Sequence, residues 1–103
     1  MEAMGCMAVL GERMKGVPIS SNKSMVGHTL TAAGAVEAVF SLLTIRNGRI
    51  PPTINYQVPD PAIPLDVVPN VARDAKVAYV LSNSFGFGGQ NTCLVFGAVP
   101  KGA

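Results

Sequence analysis

The chain of 103 residues contains one histidine, His28, so any imidazole chemistry within the chain belongs to that residue. His28 follows a glycine at the predicted start of an apolar helix. Unpaired backbone N–H groups and the positive end of the helix dipole disfavour imidazolium at such a position. A neutral imidazole can donate a hydrogen bond to a carbonyl oxygen that is developing negative charge. The sequence therefore indicates oxyanion stabilisation by His28, with a purely structural histidine as the alternative.

Glu37 is the only side chain charged at neutral pH between Lys23 and Arg46. A carboxylate in so apolar a segment needs a partner, because an unpaired buried charge is prohibitive. Lys23 and the backbone of a neighbouring segment are the candidates. On a helix continuous from Gly27, Glu37 would project within about 110° of His28 and roughly 13 Å further along the axis. Two roles stay open: a structural salt bridge, or a water-linked proton network around the site.

The segment SNSFGFGG (82–89) combines glycines with two aromatic rings, Phe85 and Phe87. It lacks the Gly-Lys-Ser/Thr ending of a phosphate-binding loop and joins two predicted strands, so nucleotide binding is disfavoured. Aromatic rings on a glycine-hinged turn either plug a core or gate an apolar channel. Cys6 and Cys93 have no His or Cys neighbour at ligand spacing. We therefore expect no metal site and no disulfide, and two reduced, buried, inert thiols.

The composition restricts the setting of these residues. With 49% hydrophobic and 14% charged residues the chain is not disordered, yet its charged share is well below the typical value of about 25%. The sequence thus predicts a piece of something larger. A net charge of +2 without a basic run disfavours nucleic acid. The one apolar stretch, 24–45, contains Glu37 and His28, which disfavours a membrane span. No secretory signal is found, so a cytoplasmic location is expected.

The elements that position these residues follow from periodicity and from glycine and proline. Residues 2–15 predict a short helix, half buried on one face and stopped by Gly16, and 17–21 predict a short strand. A buried helix is expected from Gly27 to 46, with Ser24 or Thr29 as N-cap and Asn47-Gly48 as its stop.

The C-terminal half of the sequence predicts a loop followed by a hairpin. Six prolines make 51–76 an ordered surface excursion without a long helix or a central strand. The runs 77–85 and 91–99 are rich in β-formers and predict an antiparallel hairpin. No internal repeat or domain boundary is visible.

Four motifs, in this order and spacing, resemble the C-terminal part of the type II elongating β-ketoacyl-acyl-carrier-protein synthases. They are NKSMVGH (22–28), AAGAVEA (32–38), PPTIN (51–55) and SNSFGFGGQN (82–91). These synthases are condensing enzymes of the thiolase superfamily, and the resemblance covers essentially all of 2–99. It implies an α/β fold of the thiolase-like layered αβαβα type, in which residues 1–103 are the C-terminal portion of the second half.

The resemblance also implies an activity, decarboxylative Claisen condensation of an acyl thioester with malonyl-acyl-carrier protein. His28 matches the family's second histidine, which polarises the malonyl thioester carbonyl and stabilises its enolate. Lys23 and Glu37 match a lysine and a glutamate that support the site. Phe87 matches the gating phenylalanine whose backbone N–H helps to form the oxyanion hole. The rest of the loop implied to bind substrate consists of Phe85, Gly86 and Gly88.

The resemblance has limits as well as matches. The family's nucleophilic cysteine and its first histidine lie upstream of the matching region, so neither Cys6 nor Cys93 is assigned as nucleophile. Thr29 and Thr31 stand where a leucine and a glycine are more usual, and Gln90 stands where threonine is commoner. These differences leave the acyl-chain preference open.

The expected partners are acyl carrier protein bearing acyl and malonyl thioesters, the missing N-terminal part of the synthase, and a second copy of the complete enzyme in a homodimer. No cofactor is implied. The isolated chain is expected to be inactive. The alternatives are a non-catalytic partner like the chain-length-factor subunits and, from a different class, an independent small binding domain. The set of Lys23, His28 and Glu37 favours the enzyme.

Overall fold

A computed structural model describes residues 1–100 of the chain, so the last three residues of the predicted 1–103 segment lie outside the described residues. Its helical elements are α1 (Glu2–Leu10), a 3₁₀ turn (Gly11–Gly16), α2 (Lys23–Val26), a second 3₁₀ turn (Leu30–Ala32) and α3 (Ala33–Asn47). Its strands are β1 (Arg49–Ile50), β2 (Arg73–Asp74), β3 (Tyr79–Gly86) and β4 (Gln90–Gly97). Within residues 1–100, no helix has both the length and the apolar character that crossing a membrane requires.

The predicted C-terminal hairpin is confirmed. Strands β3 and β4 pair antiparallel over their full length, from Tyr79 opposite Gly97 to Gly86 opposite Gln90. A three-residue loop joins them, and its glycines, Gly88 and Gly89, have φ angles of +89° and +86°. Side chains other than glycine rarely adopt such angles, so the tight turn depends on these two residues.

Helix α3 packs mainly on β3 of this hairpin. At Gly34 a Cβ would lie 3.8 Å from Ser84 Oγ, an ordinary van der Waals contact, so this packing does not require glycine there. The side chains of Ser41 and Thr44 are buried, and each hydroxyl donates to the backbone carbonyl four residues earlier at 2.8 Å. The helix ends at Gly48 in the left-handed conformation, φ +62°. This confirms the predicted Asn47-Gly48 stop.

The predicted start of this helix is wrong. The continuous helix begins at Ala33 rather than near Gly27, and its N-cap residue, Ala32, makes no side-chain capping bond. Gly27 has φ +77° and Leu30 has φ +53°, two values that an α-helix cannot contain. The chain therefore forms α2, a break and a 3₁₀ turn where the sequence pattern predicted the first turns of one helix.

The expectation that α3 is buried all round holds only on its hairpin side. Its outer face carries Val39, Leu42 and Leu43, which are 57%, 51% and 42% exposed. The buried apolar residues of the described chain are Met14, Ile50 and Val68. So small a core agrees with the prediction from composition that the chain is part of a larger body.

The predicted N-terminal helix is half-buried on one face, because Ala3, Cys6, Met7 and Leu10 are partly buried and its other residues are exposed. Its α-helical part ends at Leu10 rather than at residue 15, and a 3₁₀ turn continues it up to Gly16. Two further predictions, the short strand and the burial of both thiols, are wrong. The 17–21 segment forms no strand, because a single backbone bond, Ile19 N–H to the Asp66 carbonyl at 2.8 Å, is not a ladder. Among the described residues Cys6 is half-buried and Cys93 exposed, and both are free thiols.

The proline-rich 51–76 segment is an ordered loop without a long helix, as predicted. Short strands β1 and β2 pair antiparallel at its base, and Thr53 forms an isolated bridge with Pro69. The carboxylate of Asp66 accepts hydrogen bonds from three groups within this loop. Two come from the Arg73 guanidinium, through Nη1 and Nη2, and one comes from the Val68 N–H at 3.1 Å. Val68 itself is fully buried with φ +52°.

Candidate functional site

A concave pocket of about 520 Å³ lies where the α2–α3 region faces the β3–β4 hairpin. Five of the seven residues that the sequence singled out line it: Lys23, His28, Glu37, Phe85 and Gly86. They come from three separate motifs, and the packing of α3 on β3 brings them together. The wall opposite the histidine is polar and comes from both strands of the hairpin, with Asn83, Ser84, Gln90 and Thr92.

The partner of Glu37 is Lys23. The Lys23 ammonium donates to Glu37 Oε1 in a partly buried ion pair that connects α2 to α3. The glutamate side chain is 15% exposed and the lysine side chain 37% exposed. A carboxylate this far from water requires a counter-charge, and Lys23 supplies it. Of the two partners that the sequence left open for Glu37, the structure shows the lysine.

His28 lies in the break between α2 and the second 3₁₀ turn, outside any helix, and it is exposed in the described chain. Its Nδ1 accepts a hydrogen bond from the Leu30 backbone N–H at 3.1 Å. An accepting Nδ1 carries a lone pair, so the neutral ring holds its proton on Nε2. A local backbone bond, and not the dipole of a helix that starts at His28, therefore leaves Nε2 as the nitrogen that can donate, and the neutral state of the ring stays a prediction.

The predicted spacing of His28 and Glu37 along one helix axis is accordingly wrong. Glu37 lies in the second turn of α3, whereas His28 precedes that helix. Both residues reach the pocket because Gly27 and Leu30 turn the chain back before α3 begins.

The residues of the 85–88 segment have two different environments, the pocket and the solvent. Phe85 and Gly86 line the pocket, at the end of β3. Phe87 and Gly88 occupy the tip of the hairpin and do not line it, and the Phe87 side chain is fully exposed at 105%. Phe87 therefore plugs no core within residues 1–100.

Sequence reasoning missed several residues around the pocket. Glu2 lines it and accepts a hydrogen bond from Asn83 Nδ2 at 3.3 Å, although the two residues are 81 positions apart. Ser21, Ser84 and Thr92 also line it. Short hydroxyl side chains are equally common on solvent-facing strands and turns. Ser84 belongs to the segment 82–89 that the sequence singled out, whereas no sequence signal separated Glu2, Ser21 and Thr92 from ordinary surface.

Neither cysteine of the chain lines this pocket. Within the described range, no three His, Cys, Asp or Glu side chains group in a way that could hold a metal ion. The arrangement offers an imidazole with Nε2 available as a donor, a lysine–glutamate pair and a polar wall. It can hold a carbonyl oxygen as charge develops on it, and no cysteine thiol of the described residues lines it.

Comparison with known proteins agrees with this geometry. Residues 1–57 match the family described as beta-ketoacyl synthase, C-terminal domain. A curated 3-oxoacyl-[acyl-carrier-protein] synthase 2 of Staphylococcus aureus is 52% identical over 86 residues, which are 84% of this chain and 21% of that protein. The protein of the same name from Coxiella burnetii is 50% identical over 99 residues, 96% of this chain and 24% of that protein.

Among solved structures, a chain of a complex between a type II PKS acyl-carrier protein and its ketosynthase, bound to the hexaketide, superposes with a TM-score of 0.93. It is 43% identical, and the match covers 96% of this chain and 24% of that one. The described residues thus have the α/β, thiolase-like fold of the ketosynthases. The chain spans 21% to 24% of the length of the relatives that it matches.

Proposed function

The chain belongs to the β-ketoacyl synthase family, as part of its C-terminal domain, and from that premise we propose that it forms the enolate-stabilising side of a condensing active site. The reaction is the decarboxylative Claisen condensation of an acyl thioester with malonyl-acyl-carrier protein, in the synthesis of fatty acids or related acyl chains. Two curated relatives carry the name 3-oxoacyl-[acyl-carrier-protein] synthase 2, which supports this activity.

One observation carries the proposal: the Leu30 N–H occupies His28 Nδ1 and leaves Nε2–H as the ring's free donor beside the pocket. When the malonyl group loses carbon dioxide, the electrons of the breaking C–C bond pass into the thioester carbonyl. Negative charge then develops on the thioester oxygen. A hydrogen bond from Nε2–H stabilises that charge and lowers the barrier to decarboxylation.

The carbanion formed in this way attacks the carbonyl carbon of an acyl group held as a cysteine thioester, and the cysteine thiolate leaves. Cys6 and Cys93 lie outside the pocket, so the nucleophile comes from another part of the complete synthase. On this proposal the 103-residue chain alone does not condense acyl groups, because the carbanion has no thioester to attack.

Lys23 and Glu37 act on the site by position in this proposal. Their ion pair joins the helix before His28 to the helix after it, and so fixes the ends of the segment that bears the imidazole. Between the two roles that the sequence left open for Glu37, the direct contact supports the salt bridge.

Phe87, with its neighbour Gly88, is proposed as the gate and Phe85, with Gly86, as part of the substrate wall. The positions of Phe85 and Gly86 at the pocket support the second assignment. The first is supported by the flanking glycines, because φ angles of +89° and +86° at Gly88 and Gly89 give the tip conformations closed to other residues.

The proposed partners are an acyl carrier protein that delivers acyl and malonyl groups, the remainder of the synthase, and a second synthase copy. The solved complex named above pairs a ketosynthase with its acyl-carrier protein, which supports the first partner. We further propose that the complete synthase is a homodimer in the cytoplasm. Residues 1–103 would form a single C-terminal segment of its C-terminal domain.

The decisive experiment replaces His28 by alanine in the complete synthase and follows the two half-reactions separately. Acylation of the cysteine should proceed as before, while malonyl decarboxylation should fall by roughly 10² to 10³, the effect of losing one oxyanion donor. Thr29→Ala is the matched control, because Thr29 is exposed, adjacent and not part of the pocket wall. An equal loss in both half-reactions would assign His28 to folding alone.

A further inference from the structure

The segment that carries Lys23 is fastened to the proline-rich loop by three hydrogen bonds. The Ile19 N–H donates to the Asp66 carbonyl at 2.8 Å. The Ser21 N–H donates to Thr53 Oγ1 at 3.0 Å, and the Ile54 N–H donates to Ser24 Oγ at 2.9 Å. The second and third bonds use side-chain hydroxyls, and the third is partly buried.

The loop side of these bonds is itself held by its backbone. Thr53 donates its N–H to the Val68 carbonyl and accepts the Asn70 N–H, both at 2.9 Å. Val68 is fully buried, and the Asp66–Arg73 pair braces the same turn. The backbone of the loop around Thr53 is therefore held independently of the Thr53 hydroxyl. A substitution that removes this hydroxyl leaves the backbone hydrogen bonds of Thr53 in place.

Helix α2 has no comparable support of its own. It is four residues long, and its N-cap residue, Asn22, makes no side-chain capping bond. A single helical turn is unstable in isolation, because nucleation is unfavourable. The place of α2 is therefore set by outside contacts, among them the Ser24 hydroxyl, which also donates to the Ser21 carbonyl at 2.9 Å.

We propose that Ser24 and Thr53 are positioning residues for condensation: their hydroxyls fix α2 on the 51–76 loop so that Lys23 meets Glu37 and His28 faces the pocket. Neither hydroxyl belongs to a residue of the pocket wall, so both act through their neighbours. The inference rests on the proposed function, since it takes His28 to be the group whose placement matters.

The test compares Ser24→Ala with Ser24→Thr in the complete synthase. Alanine removes both hydrogen bonds and leaves the Ile54 N–H without its acceptor. Threonine keeps them, because in a helix its hydroxyl readily bonds the carbonyl three or four residues earlier, as Ser24 does with Ser21. Malonyl decarboxylation by Ser24→Ala should fall about tenfold or more, since small misplacements of a catalytic group are costly. Ser24→Thr should recover most of it.

Thr53 supplies an independent pair of variants. Valine keeps the shape of the side chain and removes the acceptor, while serine keeps the hydroxyl. Thr53→Val should lower decarboxylation several-fold, and less than Ser24→Ala, because the Ser21 N–H is exposed and water can replace the lost bond. Thr53→Ser should stay close to the unaltered synthase. If Ser24→Ala does not fold, the two Thr53 variants alone test whether these hydroxyls position His28.

Each decarboxylation rate is divided by the amount of enzyme that acylates its cysteine, so loss of folded protein cancels. A purely structural role of the two hydroxyls would leave this ratio unchanged in every variant, and that result would overturn the inference. If His28→Ala itself leaves the ratio unchanged, the proposed function fails instead. A ratio lowered by His28→Ala and untouched by Ser24→Ala and Thr53→Val refutes only the positioning role.

Discussion

Leu30 has a left-handed backbone, φ +53°, at an exposed position between His28 and α3. For a residue with a Cβ this conformation costs about 1–2 kcal/mol, and such strain persists where the surroundings impose it. The N–H of this same residue donates to His28 Nδ1. The strained residue and the tautomer of the imidazole are thus two aspects of one local arrangement, which the order of residues alone did not reveal.

The Lys23–Glu37 ion pair should contribute to the stability of the complete synthase. Glu37→Gln leaves a partly buried ammonium without its counter-charge. The synthase should lose roughly 1 to 2 kcal/mol, between the values for exposed and buried pairs. Adding Lys23→Met should restore part of the loss, since no unpaired charge then remains. Thermal unfolding of the single and double variants measures the coupling, and fully additive effects would show that the contact contributes nothing.

Among the elements, the 51–76 loop should weaken in acid. The Arg73 hydrogen bond, with smaller help from the Val68 N–H, holds the pKa of Asp66 below its ordinary value of 3.8, against the effect of burial. A lowered carboxyl pKa adds stability that is complete above about pH 4 and is lost as pH falls through the folded pKa. Arg73, whose pKa is raised, adds no dependence in this range.

Asp66→Asn should accordingly flatten the stability profile below about pH 4, as measured by denaturant unfolding at stepped pH. The matched control is Asp74→Asn, because the Arg49–Asp74 pair is largely exposed, at 61% and 81%, and exposed pairs contribute little. If both variants change the acid limb alike, Asp66 has no special part in the loop.

The end of α3 gives a second prediction about elements. Gly48 combines φ +62° with a site where a Cβ would meet the Ala75 carbonyl oxygen at 3.3 Å. Gly48→Ala should therefore cost about 1–2 kcal/mol from the left-handed backbone, plus any strain from that contact. Gly5→Ala is the control: Gly5 lies inside α1 with nothing within 4 Å, so alanine there should stabilise the helix. Equal unfolding midpoints for the two variants would contradict the close contact.

For the whole molecule, the features that could be predicted from the sequence are those signalled by a short stretch of residues, such as a turn, a helix stop or a family motif. The antiparallel hairpin, the Gly48 stop and the family were confirmed. The start of α3 was not, because no proline or charged residue in 27–32 signals a break, while the φ angles of Gly27 and Leu30 interrupt the helix. Helix α2, which precedes this break, is bonded to a loop some 30 positions away, and no short window of sequence contains such a contact.

The candidate site shows the same division. The need for a partner of Glu37 followed from the cost of a lone buried charge, and the structure shows that Lys23, one of the two candidates, is that partner. Ser24 was predicted only as an N-cap of the long helix, which is wrong because Ala32 holds that position, and the hydroxyl of Thr53 was not singled out. The partners of both hydroxyls are backbone N–H groups of distant residues. The catalytic role of His28 and the gating role of Phe87 stay predictions.

The exposed apolar face of α3 predicts how the isolated chain behaves. Val39, Leu42 and Leu43 would stand in water together, and contiguous apolar surface drives association. The purified 103-residue chain should therefore self-associate, and light scattering would detect it. Leu42→Glu with Leu43→Lys should shift the chain toward monomer. If the unaltered chain is already monomeric at high concentration, the exposed apolar face of α3 does not drive association.

The two walls of the pocket also set an order of assembly during translation. His28 and Glu37 leave the ribosome well before the hairpin that faces them, and the contact between Glu2 and Asn83 joins residues 81 positions apart. A nascent chain that has reached only the proline-rich loop can fasten α2 to it, because Ser24 and Ile54 are already present. The pocket can be completed only once β4 has been synthesised and paired with β3, because residues of both strands line it.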